Sequence, residues 1–173
     1  PLPFITGTIC SHACMGKCTR NFYEEPVHIR AMKLLAAENG YDAFLSKLSA
    51  PAVTRSGKAA VIGGGPAGMA AAYFLRRAGM EVTLFEKTDS LGGVVRHVIP
   101  EFRIASDAIN KDAAILEKMG VNVCLNTEIT DISMLKNANY SAVILALGAS
   151  EPGVLRLEKG EPVNALKFLA DYK

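Results

Sequence analysis

The chain has 173 residues, half of them hydrophobic and 21% charged, with a formal net charge of +2. That length allows one good core with a small appendage but not two full domains, and the balance suits a globular rather than a disordered protein. The small net charge gives no case for nucleic-acid binding, no apolar run is long enough for a membrane span, and no secretory signal core opens the sequence, so a cytoplasmic setting is expected.

In chain order, the first region, residues 1 to about 50, carries three of the four cysteines in the run Cys10-Ser-His-Ala-Cys14-Met-Gly-Lys-Cys18. In a reducing compartment such density points to metal before disulfide. Thiolates suit iron–sulfur ligation, three such cysteines with His12, His28 or a partner would also suit zinc, and free thiols are the third reading. The spacing predicts a helix over 26–39, stopped by Gly40, and a second short helix over 41–48. Residues 49–57, Ser-Ala-Pro-Ala-Val-Thr-Arg-Ser-Gly, read as a linker.

Residues 60–72 then read Ala-Val-Ile-Gly-Gly-Gly-Pro-Ala-Gly-Met-Ala-Ala-Ala, and Glu86 closes the apolar run Val82-Thr-Leu-Phe85. Gly63, Gly65 and Gly68 occupy the three spaced positions of a dinucleotide loop. The first allows a tight turn, the second lets backbone approach a pyrophosphate, and the third lets helix pack close to strand. Pro66 suits the first turn of the helix, whose unpaired N–H groups would face phosphate. An acid at the position of Glu86 accepts from a ribose diol, which argues for an unphosphorylated adenosine ribose, as in FAD or NAD. A glycine cluster alone also marks ordinary turns; here strand 58–62, loop, helix to Ala78, Gly79 and strand 81–85 follow in the order a pocket requires.

A loop over 88–103 with Gly92-Gly93 comes next, then a helix over 106–119 with Ala108, Ile109, Ala113, Leu116 and Met119 on its apolar side and Gly120 as its cap. Strands are predicted over 121–125 and 141–147 with a helical turn near 131–136 between them, and a final helix over 162–172. Cys124 reads as a small buried hydrophobe; His12 and His97 read as surface or structural residues. Strands alternating with helices imply an α/β fold with a parallel sheet.

One ordered series carries a family resemblance: the cysteine group, Glu25-Pro-Val-His-Ile-Arg30, Gly63 to Gly68, Gly92-Gly93, Ile99-Pro-Glu-Phe-Arg103 and Ala146-Leu-Gly-Ala149. It resembles the small subunit of glutamate synthase and its relatives, including the N-terminal part of dihydropyrimidine dehydrogenase and the selenate reductase subunits. The resemblance implies a helical domain with two [4Fe–4S] clusters, then a Rossmann-like FAD domain interrupted by an NADPH domain, with electrons passing between nicotinamide, flavin and clusters.

By that resemblance the expected cofactor-binding set is Gly63, Gly65, Pro66, Ala67, Gly68, Glu86, Lys87, Gly92, Gly93, Arg103, Ala146 and Gly148, with Arg96 as an alternative to Arg103. Cys10, Cys14 and Cys18 match the family's last three cluster cysteines, whereas Lys33 stands where relatives place a Gln or Glu ligand, and an ammonium has no lone pair for iron. The implied division is a partial iron–sulfur domain over 1–50, a linker over 51–57, an incomplete FAD domain over 58–150, and over 151–173 the start of a connection to an NAD(P)H domain. The chain is therefore expected to be a fragment that works with other domains or subunits of its parent and is open to self-association. Two other readings stay open: a non-catalytic nucleotide-holding or scaffold module, and a simple NAD-dependent dehydrogenase, for which the tail is too short to hold a substrate domain.

Overall fold

The computed structural model describes residues 1–149, 153 and 156–173. The expected boundary at 150/151 lies outside the described residues.

At its centre is a four-stranded parallel sheet in the order β3-β2-β1-β4. Its strands are β1 (Lys58–Ile62), β2 (Glu81–Phe85), β3 (Asn122–Cys124) and β4 (Tyr140–Leu145). Val61 pairs with Leu84 on one side and Ile144 on the other, and Phe85 pairs with Cys124. The order reverses beside β1, so the crevice at the carboxyl ends of β1 and β4 is the switch point where open α/β sheets hold ligands. Alternation along β1 gives the sheet two unlike faces. Val61 enters the main core with Met69, Leu84, Ile109 and Leu116. Ala60 and Ile62 face a smaller cluster closed by Leu135.

Helices α4 (Pro66–Arg77) and α6 (Ser106–Lys118) cover the main-core face. Met69, Ala72 and Arg76 are buried on α4, and Ile109, Asp112 and Leu116 on α6, at the three- and four-residue spacing of a helix stripe. The expectation for α6 holds at Ile109, Leu116 and Met119, but Asp112 shares that face with no solvent exposure at all. Three short or peripheral helices complete this part: α5 (Val94–His97) inside the expected 88–103 loop, α7 (Ser133–Asn137), and α8 (Ala165–Tyr172). The last begins after an Asn164 cap, which accepts from Lys167 N at 3.1 Å, rather than at Pro162.

The N-terminal region departs most from expectation. Helix α1 (Pro3–Ile9) is buried through Phe4 and Ile5, and is followed by the one-turn α2 (Ala13–Gly16) and a 3-10 turn over Thr19–Phe22. The Asp112 carboxylate accepts the backbone N–H groups of Phe4 at 3.1 Å and Ile5 at 2.8 Å, doing for α1 what its own Leu2 cap cannot. Gly7 lets α1 lie against the next long helix, because a Cβ there would stand 3.0 Å from Leu34 Cα. Phe4 meets Tyr41 edge to face at 5.2 Å.

The two helices expected over 26–39 and 41–48 are one, α3 (Ile29–Lys47), which runs through Gly40. Glycine terminates a helix by turning left-handed; Gly40 is not among the positive-φ glycines, and nothing lies within 4 Å of where its Cβ would be. Its helical cost of about 1 kcal/mol is too small to break a run flanked by Leu34, Leu35, Ala36, Ala37 and Ala43. Nor is the linker loose. Arg76, buried on α4, donates to Pro51 O at 2.7 Å and Gly120 O at 3.3 Å, while Gly79 O accepts from Thr54 N and Arg55 N.

Candidate functional site

The glycine loop leaves β1 at Ile62 and enters α4 at Pro66, and each glycine in it answers to a different physical demand. Gly63 has φ +106, and a Cβ on it would run into the carbonyl oxygen of Ala146, at the end of β4. Gly68 faces the carbonyl of Gly63, so any side chain there would push α4 off β1. Gly65 is different. Its φ of −72° and ψ of 178° suit any residue, and among the described residues the only atom within 4 Å of its missing Cβ is Gly93 Cα at 3.9 Å. Neither conformation nor packing among the described residues explains why this position lacks a side chain.

Gly93, at φ +54, comes from the second glycine pair, and Gly92 N donates to Gly64 O at 2.8 Å. The two loops therefore meet backbone to backbone, with the start of α4 between them. Gly65 is the cap residue of that helix and supplies no side-chain acceptor. Among the described residues, the N–H groups of Ala67 and Gly68 have no acceptor, and the first helical bond runs from Met69 N to Gly65 O. Unpaired donors and the positive end of a twelve-residue helix make a place for an anion.

Glu86 closes the site from β2. It is buried, yet both its oxygens are engaged: Oε2 accepts from Gly64 N at 2.6 Å, and Oε1 from Thr88 N and Thr88 Oγ1 at 2.9 Å each. Burial resists its ionisation, but the N–H groups of Thr88 and Gly64, the Thr88 hydroxyl and nearby His97 outweigh that and hold its pKa below the usual 4.5. With two lone pairs per oxygen, Oε2 keeps room for one more donor. Sequence reasoning missed two neighbours of this carboxylate, Thr88, which hydrogen-bonds it, and His97, which hydrogen-bonds Thr88. The Glu-x-Thr spacing is the signal that could have shown the first of them.

The remaining expected residues divide into three groups. Pro66 and Ala67 begin α4 beside the loop, and Ala146 N donates to Ile62 O at 2.8 Å. Gly148, at φ +72, and Lys87 are exposed. Arg103 lines a separate cleft of about 370 Å³ with Phe4, Leu34 and Lys111, and no residue of either glycine loop lines it. Arg96 is committed elsewhere, donating to Leu91 O at 2.5 Å and Asn110 Oδ1 at 2.6 Å.

Cys10 and Cys18 are half-buried, Cys14 is exposed, and all three are free thiols. Backbone N–H donors at Val27 and Arg20 hold the Cys18 thiol below its usual pKa. Among the described residues no group of three or more His, Cys, Asp or Glu side chains is arranged to hold a metal ion. Lys33 is exposed on α3. Cys124 is half-buried, not enclosed. No helix among the described residues is long and apolar enough to cross a membrane.

A family model described as an NAD(P)-binding Rossmann-like domain matches residues 61–119, the stretch from the glycine loop to the end of α6. The chain is 41% identical to the candidate oxidoreductase YgfK of Escherichia coli (strain K12), over 99% of this chain and 17% of that protein. It is 31% identical to the NADPH glutamate synthase small chain of Bacillus subtilis (strain 168), over 98% of this chain and 35% of that protein. The chain is a homologue of these oxidoreductases.

The chain also matches the NAD-dependent dihydropyrimidine dehydrogenase subunit PreT of Salmonella typhimurium, with 32% identity over 83% of this chain and 37% of that protein. It thus spans between about a sixth and somewhat over a third of these relatives' lengths. Among solved structures, a 2-naphthoyl-CoA reductase is 28% identical over 71% of this chain and 18% of that chain, with a TM-score of 0.49.

Proposed function

We propose that this chain holds the ADP half of an FAD in the crevice between its two glycine loops, and so forms part of a nicotinamide-linked flavoprotein oxidoreductase. The observation that carries the reading is Gly65, a position with ordinary dihedrals and open space that still lacks a side chain. A pyrophosphate beside Gly65 would meet the free N–H groups of Ala67 and Gly68, with Gly93 on its flank. Glu86 contributes its remaining lone pair on Oε2 to an adenosine hydroxyl, and its fixed charge disfavours a 2′-phosphate there.

Bound in such a crevice, a flavin supplies two-electron exchange with nicotinamide and one-electron exchange with a second centre. This chain's own work is binding and orientation: α4 neutralises phosphate charge, the two glycine loops admit it, and Glu86 fixes the ribose. No acid or base residue is asked of it. The three cysteines do not form a cluster site among the described residues, so a cluster there would draw further ligands from another chain segment or subunit. Arg103 lies outside this assignment, because it lines the separate cleft beside α1 and α3.

Reconstitution with FAD, followed by gel filtration and a visible spectrum, tests the reading. Co-eluting oxidised flavin is the expected result. A colourless protein that cannot be loaded would overturn it and leave a non-catalytic module; tight NAD binding without FAD affinity would favour the dehydrogenase reading.

A further inference from the structure

The glycine loop through Gly64 N and the turn after β2 through Thr88 meet at the Glu86 carboxylate, and α5 joins them through His97, which bonds Thr88. Thr88 Oγ1 stands between the other two, 2.9 Å from Glu86 Oε1 and 3.2 Å from His97 Nε2. A hydroxyl has a single proton. When Thr88 donates it to Glu86, Oγ1 is left as an acceptor toward His97, which requires the imidazole to carry its proton on Nε2. When Nε2 is bare, the hydroxyl is drawn toward the ring instead, or toward Ser90 O at 3.0 Å, and Oγ1 presents lone pairs to a carboxylate oxygen. The first arrangement adds the hydroxyl's bond to those from the Thr88 and Gly64 N–H groups, which already hold Glu86 against the glycine loop.

From this geometry we infer that His97 and Thr88 are positioning residues that lock the Glu86 carboxylate against the first glycine loop and thereby set affinity for an adenosine ribose. The order of donation is His97 Nε2–H to Thr88 Oγ1, then Thr88 O–H to Glu86 Oε1. His97 lies four residues past Gly93, so the loop that borders the phosphate crevice also supplies the first donor of the chain. Other polar groups beside this chain are Ser90, through its carbonyl, and the Thr88 N–H. The inference rests on the dinucleotide reading above.

FAD titration of the whole 173-residue chain tests it, in wild type, Thr88→Val, His97→Phe, His97→Gln and the Thr88→Val/His97→Phe double variant. Each disruptive single variant should bind FAD about tenfold more weakly, which is about 1.4 kcal/mol, the scale of one hydrogen bond to a charged group. The double variant should lose no more than the worse single one, because the two residues act in series. His97→Gln, whose amide still offers a donor, should recover most of the affinity. A second readout needs no ligand: the Gly64 amide proton, shifted downfield by the carboxylate, should move upfield in Thr88→Val and His97→Phe and return in His97→Gln. Failure of wild type to bind FAD would overturn the dinucleotide reading and this inference with it. Wild-type binding with unaffected variants, additive losses, no recovery by Gln, or an unmoved Gly64 amide would overturn this inference alone.

Discussion

Replacing Gly65 by Val separates folding from binding at a single position. The backbone there, at φ −72° and ψ 178°, is a conformation that a β-branched residue favours, and the new Cβ would meet only Gly93 Cα at 3.9 Å. Losing glycine at a helix cap costs roughly 0.5–1 kcal/mol, and the stiffer unfolded chain returns about 0.4–1 kcal/mol. Net stability should therefore change by less than about 1 kcal/mol. Binding should change far more. The isopropyl group fills the space between Gly65 and Gly93 and bars phosphate from the N–H groups of Ala67 and Gly68, each worth about 1.5–3 kcal/mol to a charged acceptor. The loss of both weakens FAD at least a hundredfold. Gly68→Ala is the control with the opposite signature, because its methyl meets the Gly63 carbonyl and should cost about 1–3 kcal/mol of stability or more. Urea unfolding followed by circular dichroism measures the first quantity, and flavin fluorescence titration the second. Equal FAD affinity in wild type and Gly65→Val would refute the reasoning, as would unfolding of Gly65→Val under conditions where wild type is native.

Three further predictions concern the scaffold. Burial pushes the Asp112 carboxyl up from 3.8 to about 6 against the opposing pull of the Ile5 and Phe4 N–H groups. A raised carboxyl binds its proton more tightly when folded, so stability relative to Asp112→Asn should rise as pH falls from about 6 to 3.8, by at most about 3 kcal/mol. Parallel pH–stability curves for the two proteins would refute the assignment. Gly40→Ala should stabilise the chain by about 0.5–1 kcal/mol, since α3 is continuous there; if Gly40 were a left-handed stop, urea unfolding would show destabilisation instead. Arg76→Ala should cost about 1.5–3 kcal/mol and expose residues 51–55 to proteolysis, because its guanidinium holds Pro51 O; unchanged cleavage of that stretch would count against the clasp.

The succession β1, glycine loop, α4, β2 was legible almost to the residue, because Gly63, Pro66 and Gly79 punctuate it and the apolar runs between them are short and unambiguous. Helix α1 was not legible. Its sequence Pro-Phe-Ile-Thr-Gly-Thr-Ile combines β-branched residues with an interior glycine, so intrinsic propensity argues against it, and it stands because Asp112 accepts its first N–H groups and Gly7 fits against Leu34. The same tertiary override hid Asp112, whose charge reads as a solvated position until its partner 108 residues away is known. In the site, spacing alone named the glycines and Glu86 as candidates, and Gly63, Gly65, Gly68, Gly92, Gly93 and Ala146 lie together in the fold. Arg103, expected among them, lines the separate cleft, because a motif taken from resemblance points to a segment but not to which way an exposed arginine in it leaves the backbone.

The carboxylate seam between α1 and α6 bears on how this protein can be dissected. Severing the chain within residues 51–57 to obtain a cysteine-bearing piece and a nucleotide-bearing piece would strand an ionisable group inside one product and two bare amides at the head of the other. Domain-swap experiments with relatives should therefore exchange α1 together with α6, or carry Asp112 across with the arm it grips.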